Sequence, residues 1–139
     1  MIFKKIVIVL VLVLILEICF QIMPFNVDFA DKVYMKFYYD ETKIDCEITD
    51  ENDIRELKKI FRTVSFSHSL FGTPSCGFST NISLTFQKGD KKIIICPGGD
   101  TCGNIRIGES NRYLLFSSKK LKKFDEIFGK YHGFTYHGG

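Results

Sequence analysis

Thiols and lysines are the side chains of this chain whose number and spacing invite chemistry. Four of its five cysteines, Cys46, Cys76, Cys96 and Cys102, lie beyond residue 30. An even number of cysteines in an exported domain reads as a disulfide framework with three full pairings. Cys76 and Cys102 each sit in a Gly-containing loop, Ser75-Cys76-Gly77 and Thr101-Cys102-Gly103, and such loops bring Cα atoms within bridging range. The expected bridge is Cys76–Cys102, with Cys96–Cys102 as the alternative, while Cys46 and Cys96 fall on strands and read as buried thiols. A bridge of that loop length stabilises by about 3 kcal/mol and has a structural role. The chemical reading of the same residues is an extracytoplasmic hydrolase or thiol enzyme using Cys76 or Cys102 with His68, Asp100 being the third member. An oxidised sulfur is a poor nucleophile, so the structural role is preferred. No C-x-x-C pair occurs, and neither a metal nor another cofactor is expected.

The second group is basic. Lys119, Lys120, Lys122 and Lys123 follow Ser117 and Ser118 at the start of an expected helix. Cations at that end oppose the helix dipole by roughly a few tenths of a kcal/mol each. Together with the two hydroxyls and the free N–H groups of the first turn, they form a candidate anion-binding surface. The competing expectation is internal compensation. Asp31 to Leu57 holds nine acids and four bases, and Lys58 to Gly139 holds five acids and thirteen bases. Packing the Asp40–Glu56 region beside the lysines would neutralise both, and this is the expected arrangement.

The elements that position these groups are marked by pattern. Ile6 to Ile22 (IVIVLVLVLILEICFQI) is almost continuously apolar behind Lys4 and Lys5. It reads as a single-pass transmembrane anchor or uncleaved signal over 6–23, with a cytoplasmic basic tip at 1–5. That places the C-terminal domain in an extracytoplasmic position at the cell membrane. A linker is expected over 24–32, one domain over 33–131 and a flexible tail over 132–139.

Within the domain, Val33–Tyr39 and Ile44–Ile48 alternate apolar with polar residues around a turn at Asp40–Lys43, which reads as a hairpin with one wet face. Asp50 is the expected N-cap of a helix with the apolar stripe Ile54, Leu57, Ile60, Phe61 and Val64. Ser65–Gly77 reads as loop, and Phe78–Gln87 as a strand. Lys88–Lys91 is a hairpin turn into Ile93–Cys96. Short strands at Asn104–Ile107 and Arg112–Phe116 precede a last helix with the stripe Leu121, Phe124, Ile127, Phe128 and Tyr131. The order β-β-α-β-β-β-β-α predicts an α+β fold, one antiparallel sheet with two helices on one face.

At Ser75-Cys76-Gly77-Phe78, Asp100-Thr101-Cys102 and the run from Tyr113 to Tyr131, the chain resembles small exported, membrane-anchored bacterial domains of unknown function with Cys-Gly-Phe and Asp-x-Cys elements. The resemblance implies an extracytoplasmic α+β domain and carries no activity with it. The expected function is a non-enzymatic binding, sensing or accessory role. The expected partners are the membrane, through the N-terminal helix, and a protein or anionic envelope component. No nucleic acid is expected, because no DNA- or RNA-binding motif occurs.

Overall fold

The computed structural model describes residues 2–67, 74, 76–98 and 103–132. Among the described residues, eight strands form one open antiparallel sheet accompanied by three helices. In chain order they are α1 (Ile2–Gln21), β1 (Ile22–Phe25), β2 (Lys32–Tyr39), β3 (Thr42–Ile48), α2 (Glu51–Ile60), β4 (Thr63–Ser67), β5 (Ile82–Lys88), β6 (Lys91–Pro97), β7 (Ile105–Ile107), β8 (Arg112–Leu114) and α3 (Ser118–His132). Across the sheet the order is β1-β4-β8-β7-β6-β5-β2-β3.

The α+β class and the antiparallel sheet are as the alternation implies. Val33, Met35 and Phe37 on β2 are buried, as are Leu84 and Phe86 on β5. They join Leu57 and Ile60 of α2, its C-cap Phe61, and Phe124, Ile127 and Phe128 of α3 in one core. Phe61 is central to it. Its ring centroid lies 5.2 Å from that of Phe86, 5.4 Å from Phe116 and 5.9 Å from Phe124. The hairpins form where expected, Tyr39 opposite Thr42 and Lys88 opposite Lys91. Asp40 and Gly89 turn them with φ of 52° and 55°, a conformation that a β-carbon disfavours.

Two strands depart from the expected order. β1 pairs with β4, Ile22 opposite Phe66 and Phe25 opposite Thr63. Residues 22–23 therefore belong to the sheet, and the expected linker contains the second half of β1 and the buried core residues Val27 and Ala30. β4 lies largely where a loop was expected, because Ser65 and Ser67 disguise the alternation. Phe78 also differs. Residues 79–81 intervene before β5, and the Phe78 ring lies tilted against Tyr113, centroids 5.5 Å apart, instead of continuing the core row of Ile82 and Leu84.

The expected membrane anchor is corrected. Among the described residues no helix is long and apolar enough to cross a membrane. Lys4, Lys5 and Glu17 lie inside α1. The uncharged stretch between them runs only from Ile6 to Leu16, about 16 Å at helical rise, against a hydrocarbon core of about 30 Å. The single-pass, cell-membrane and extracytoplasmic placement that rested on this anchor falls with it. α1 is instead joined directly to the sheet. Arg112 donates from Nη1 to the Phe20 carbonyl at 3.3 Å and from Nη2 to the Gln21 carbonyl at 3.4 Å. It also holds Ser65 Oγ at 3.0–3.1 Å, so one guanidinium satisfies the last carbonyls of α1 and ties them to β4.

Candidate functional site

The expected thiol site does not assemble from the described residues. Cys19, Cys46 and Cys96 are free cysteines, and among the described residues no two cysteines stand at bridging distance. This overturns the Cys96–Cys102 alternative. Cys76 is disulfide-bonded, so its sulfur supplies no thiolate, and Asn104 Nδ2 lies 3.4 Å from it. Cys102, His68 and Asp100 lie outside the described residues. Cys96 is fully buried on β6. Burial pushes its thiol up, and the neighbouring Arg106 only partly offsets this. Such a thiol is inert rather than nucleophilic.

The lysines do meet other groups, through the way the two helices pair. Asp50 caps α2, accepting from the backbone N–H of Asn52 at 2.8 Å and of Asp53 at 3.2 Å. Ser117 caps α3, its Oγ accepting from Lys120 N–H at 3.3 Å. α2 and α3 then lie antiparallel. Lys130, near the end of α3, is 2.6 Å from Asp53 and 3.4 Å from Asp50 at the start of α2. Tyr131 Oη donates to the same Asp53 carboxylate at 2.7 Å. At the opposite end the Lys120 ammonium donates to the Arg62 carbonyl just beyond α2.

This alignment leaves Glu56 alone of the expected Asp40–Glu56 region beside the lysines, so the expected compensation is met only in part. The acids that start α2 are spent on Lys130 and Tyr131, and the start of α3 meets the basic end of α2. Ser117, Lys119, Lys120 and Lys123 line one groove with Glu56, Lys59 and Ile60, about 340 Å³ in volume. A second groove of about 460 Å³ shares Ser117 and Lys120 and adds Thr63, Leu115 and Phe116. Lys58 and Arg62 are engaged elsewhere, Lys58 donating to the Asp28 carbonyl and Arg62 pairing with the Asp28 carboxylate at 3.0 Å. Ser118 and Lys122, also expected on this surface, line neither groove.

The acids left at this end are few. Glu56 pairs with Lys59 at 2.6 Å, and that contact, with Lys123 nearby, holds its carboxyl below the usual range. Glu126 pairs with Lys123 at 3.3 Å. Among the described residues Lys119 makes no ion pair. Beside these charges Leu115 is 57% exposed, among the described residues the most exposed large apolar side chain beyond α1 after Tyr39.

No family profile, curated protein or solved structure matches the chain. The reading of its function therefore stands on this geometry alone, and the resemblance to small exported domains adds no activity to it.

Proposed function

We propose that the chain is a non-enzymatic binding domain that docks an acidic protein segment on the basic grooves between α2 and α3. The observation that carries this is the antiparallel helix pairing, which gathers Lys59, Lys119, Lys120 and Lys123 around two adjoining grooves. Like charges placed together in this way repel one another, and a bound anionic partner relieves that. Lysines are mobile point charges rather than bidentate forks. They suit a run of carboxylates better than a single oriented phosphate. The exposed Leu115 beside them favours a segment that carries an apolar side chain among its acids.

The test is fluorescence anisotropy of a labelled Glu-rich peptide containing one leucine, against the full chain and two variants. Lys119→Glu with Lys123→Glu should weaken binding at least tenfold, and Leu115→Ser should weaken it less. If the peptide fails to bind while inorganic polyphosphate binds in a lysine-dependent way, the partner is an anionic polymer and the peptide reading is wrong. Unchanged peptide binding in the charge-reversed chain contradicts the site itself.

A further inference from the structure

The face of the sheet opposite α2 and α3 carries a second concave site. A cleft of about 610 Å³ crosses β3, β2, β5 and β6 and ends at the β7–β8 turn. The register fixes its floor. Lys36 stands between Asp45 and Ser83, and Tyr34 is paired with Thr85, which in turn faces Ile94. Glu109 closes the far rim beside Gly108, whose N–H donates to the Ile94 carbonyl at 2.8 Å. Adjacent strands lie about 4.8 Å apart, so from β3 to β6 the cleft is roughly 14 Å long.

Its side chains restrict what it can hold. Carboxylates at both rims, Asp45 and Glu109, oppose an anion. Hydroxyls from Thr80, Ser83 and Thr85 oppose an apolar ligand, because covering them without partners is unfavourable. A bare metal ion lacks a ligand set, since no three metal-ligating side chains converge among the described residues. The remaining features are positive ones. The Tyr34 ring and Ile94 give an apolar floor. The Lys36 ammonium rests over the Tyr38 ring at 4.7 Å, and Tyr38 Oη donates to Asp45 at 3.2 Å. This steers the donor and the acceptor without joining them in an ion pair. Ser83 donates to the Thr80 carbonyl at 2.9 Å, leaving its oxygen as an acceptor.

An apolar floor with hydroxyl, carboxylate and ammonium groups around it matches a ring that has a C–H face and a periphery of hydroxyls. We propose that this cleft binds a neutral saccharide of more than one ring, the Tyr34 ring stacking on a sugar face while Asp45, Glu109 and Lys36 take its hydroxyls. Carboxylates accept from such hydroxyls without requiring a charge on the ligand. The site is independent of the basic grooves, which lie on the helix side of the sheet.

Binding is followed by isothermal titration calorimetry, because the fluorescence of six tyrosines is a sum and Tyr34→Ala removes the one ring that lines the cleft. The full chain is titrated with cellotriose, maltotriose and N,N′,N″-triacetylchitotriose, and in parallel with the corresponding monosaccharides and with spermidine. One trimer should give a saturable change, bind more tightly than its monomer, and lose at least tenfold affinity with both Tyr34→Ala and Asp45→Asn. Lys119→Glu with Lys123→Glu should leave that binding unchanged, which separates this site from the other. Failure of every trimer to saturate by about 10 mM overturns the proposal. So does spermidine binding in preference to the saccharides, which would make the rims a cation site.

Discussion

Lys130 Nζ lies 2.6 Å from Asp53 Oδ2, joining the end of α3 to the start of α2. This contact sets the charge distribution of the helix layer. It accompanies the antiparallel run of the helices, holds Asp50 and Asp53 away from the first turn of α3, and so leaves lysines facing lysines at the far end with Glu56 as the one α2 acid among them. Asp53 is only 15% exposed there and accepts from Tyr131 as well. Asp53→Ala should destabilise the fold by about 2 kcal/mol, since it strands a partly buried Tyr131 hydroxyl and an ammonium. Asp53→Asn, which keeps an acceptor, should lose less. Urea denaturation of both variants checks the order, and equal losses would show that Tyr131 gains nothing from the contact.

The same cluster predicts the acid limb of stability. The backbone N–H groups of Asp53 and Asn52, and then Lys130, hold the Asp50 carboxyl below its ordinary value of 3.8. A depressed folded-state value means that the contribution is present above the unfolded value and is lost as pH falls through the folded one. Stability should therefore fall as pH drops below about 4, and Asp50→Ala should flatten that limb while leaving neutral-pH unfolding cooperative. An unaltered acid limb in Asp50→Ala would contradict the assignment.

Arg112 is predicted to hold α1 and β1 to the rest of the sheet. Its guanidinium serves two α1 carbonyls and Ser65, and Ser65 Oγ in turn donates to the Met23 carbonyl at 3.4 Å. Hydrogen bonds to a charged donor contribute about 1.5–3 kcal/mol. Arg112→Ala should speed amide exchange across β1 by roughly ten- to a hundredfold with the β2–β3 hairpin unaffected. Uniform loss of protection in both regions would show that Arg112 supports the whole sheet rather than this end.

The free thiols should react in a fixed order, the exposed Cys19 first. Cys46 is half-buried, and burial together with Asp45 pushes its thiol up; Cys96 is fully buried with its thiol also raised. Iodoacetamide at alkaline pH should modify Cys46 slowly in the native chain, and Cys96 only after unfolding. Native modification of Cys96 would show that β6 opens locally.

Much of this architecture is legible in the sequence, and the failures have physical causes. Asp50 as a cap and the apolar stripes of α2 and α3 follow from capping and helical period, except that Val64 belongs to β4 and not to the first stripe. The β2–β3 and β5–β6 hairpins follow from alternation around Asp40 and Gly89. β1 is hidden because its Ile22 and Met23 prolong an apolar run that only Glu17 and Gln21 interrupt before Pro24. β4 was hidden by Ser65 and Ser67, polar residues buried at 3% and 9% exposure, which read as loop until the Arg112 contact to Ser65 is seen. Serine and lysine positions on the basic surface could be named, but not the helix alignment that decides what faces them. The cleft was missed because Asp45, Thr85 and Glu109 meet only through strand register. Its single local signal was the polar outer row of β2 and β5.

The most direct test of the central claim is a titration of the isotopically labelled chain with the Glu-rich, leucine-containing peptide, followed by amide chemical shifts. The basic grooves predict saturable shifts confined to residues 58–63 and 115–123, weakening with added salt. Shifts centred instead on the other basic element, the β5–β6 hairpin with Lys88, Lys91 and Lys92, or on no defined surface, would contradict the account.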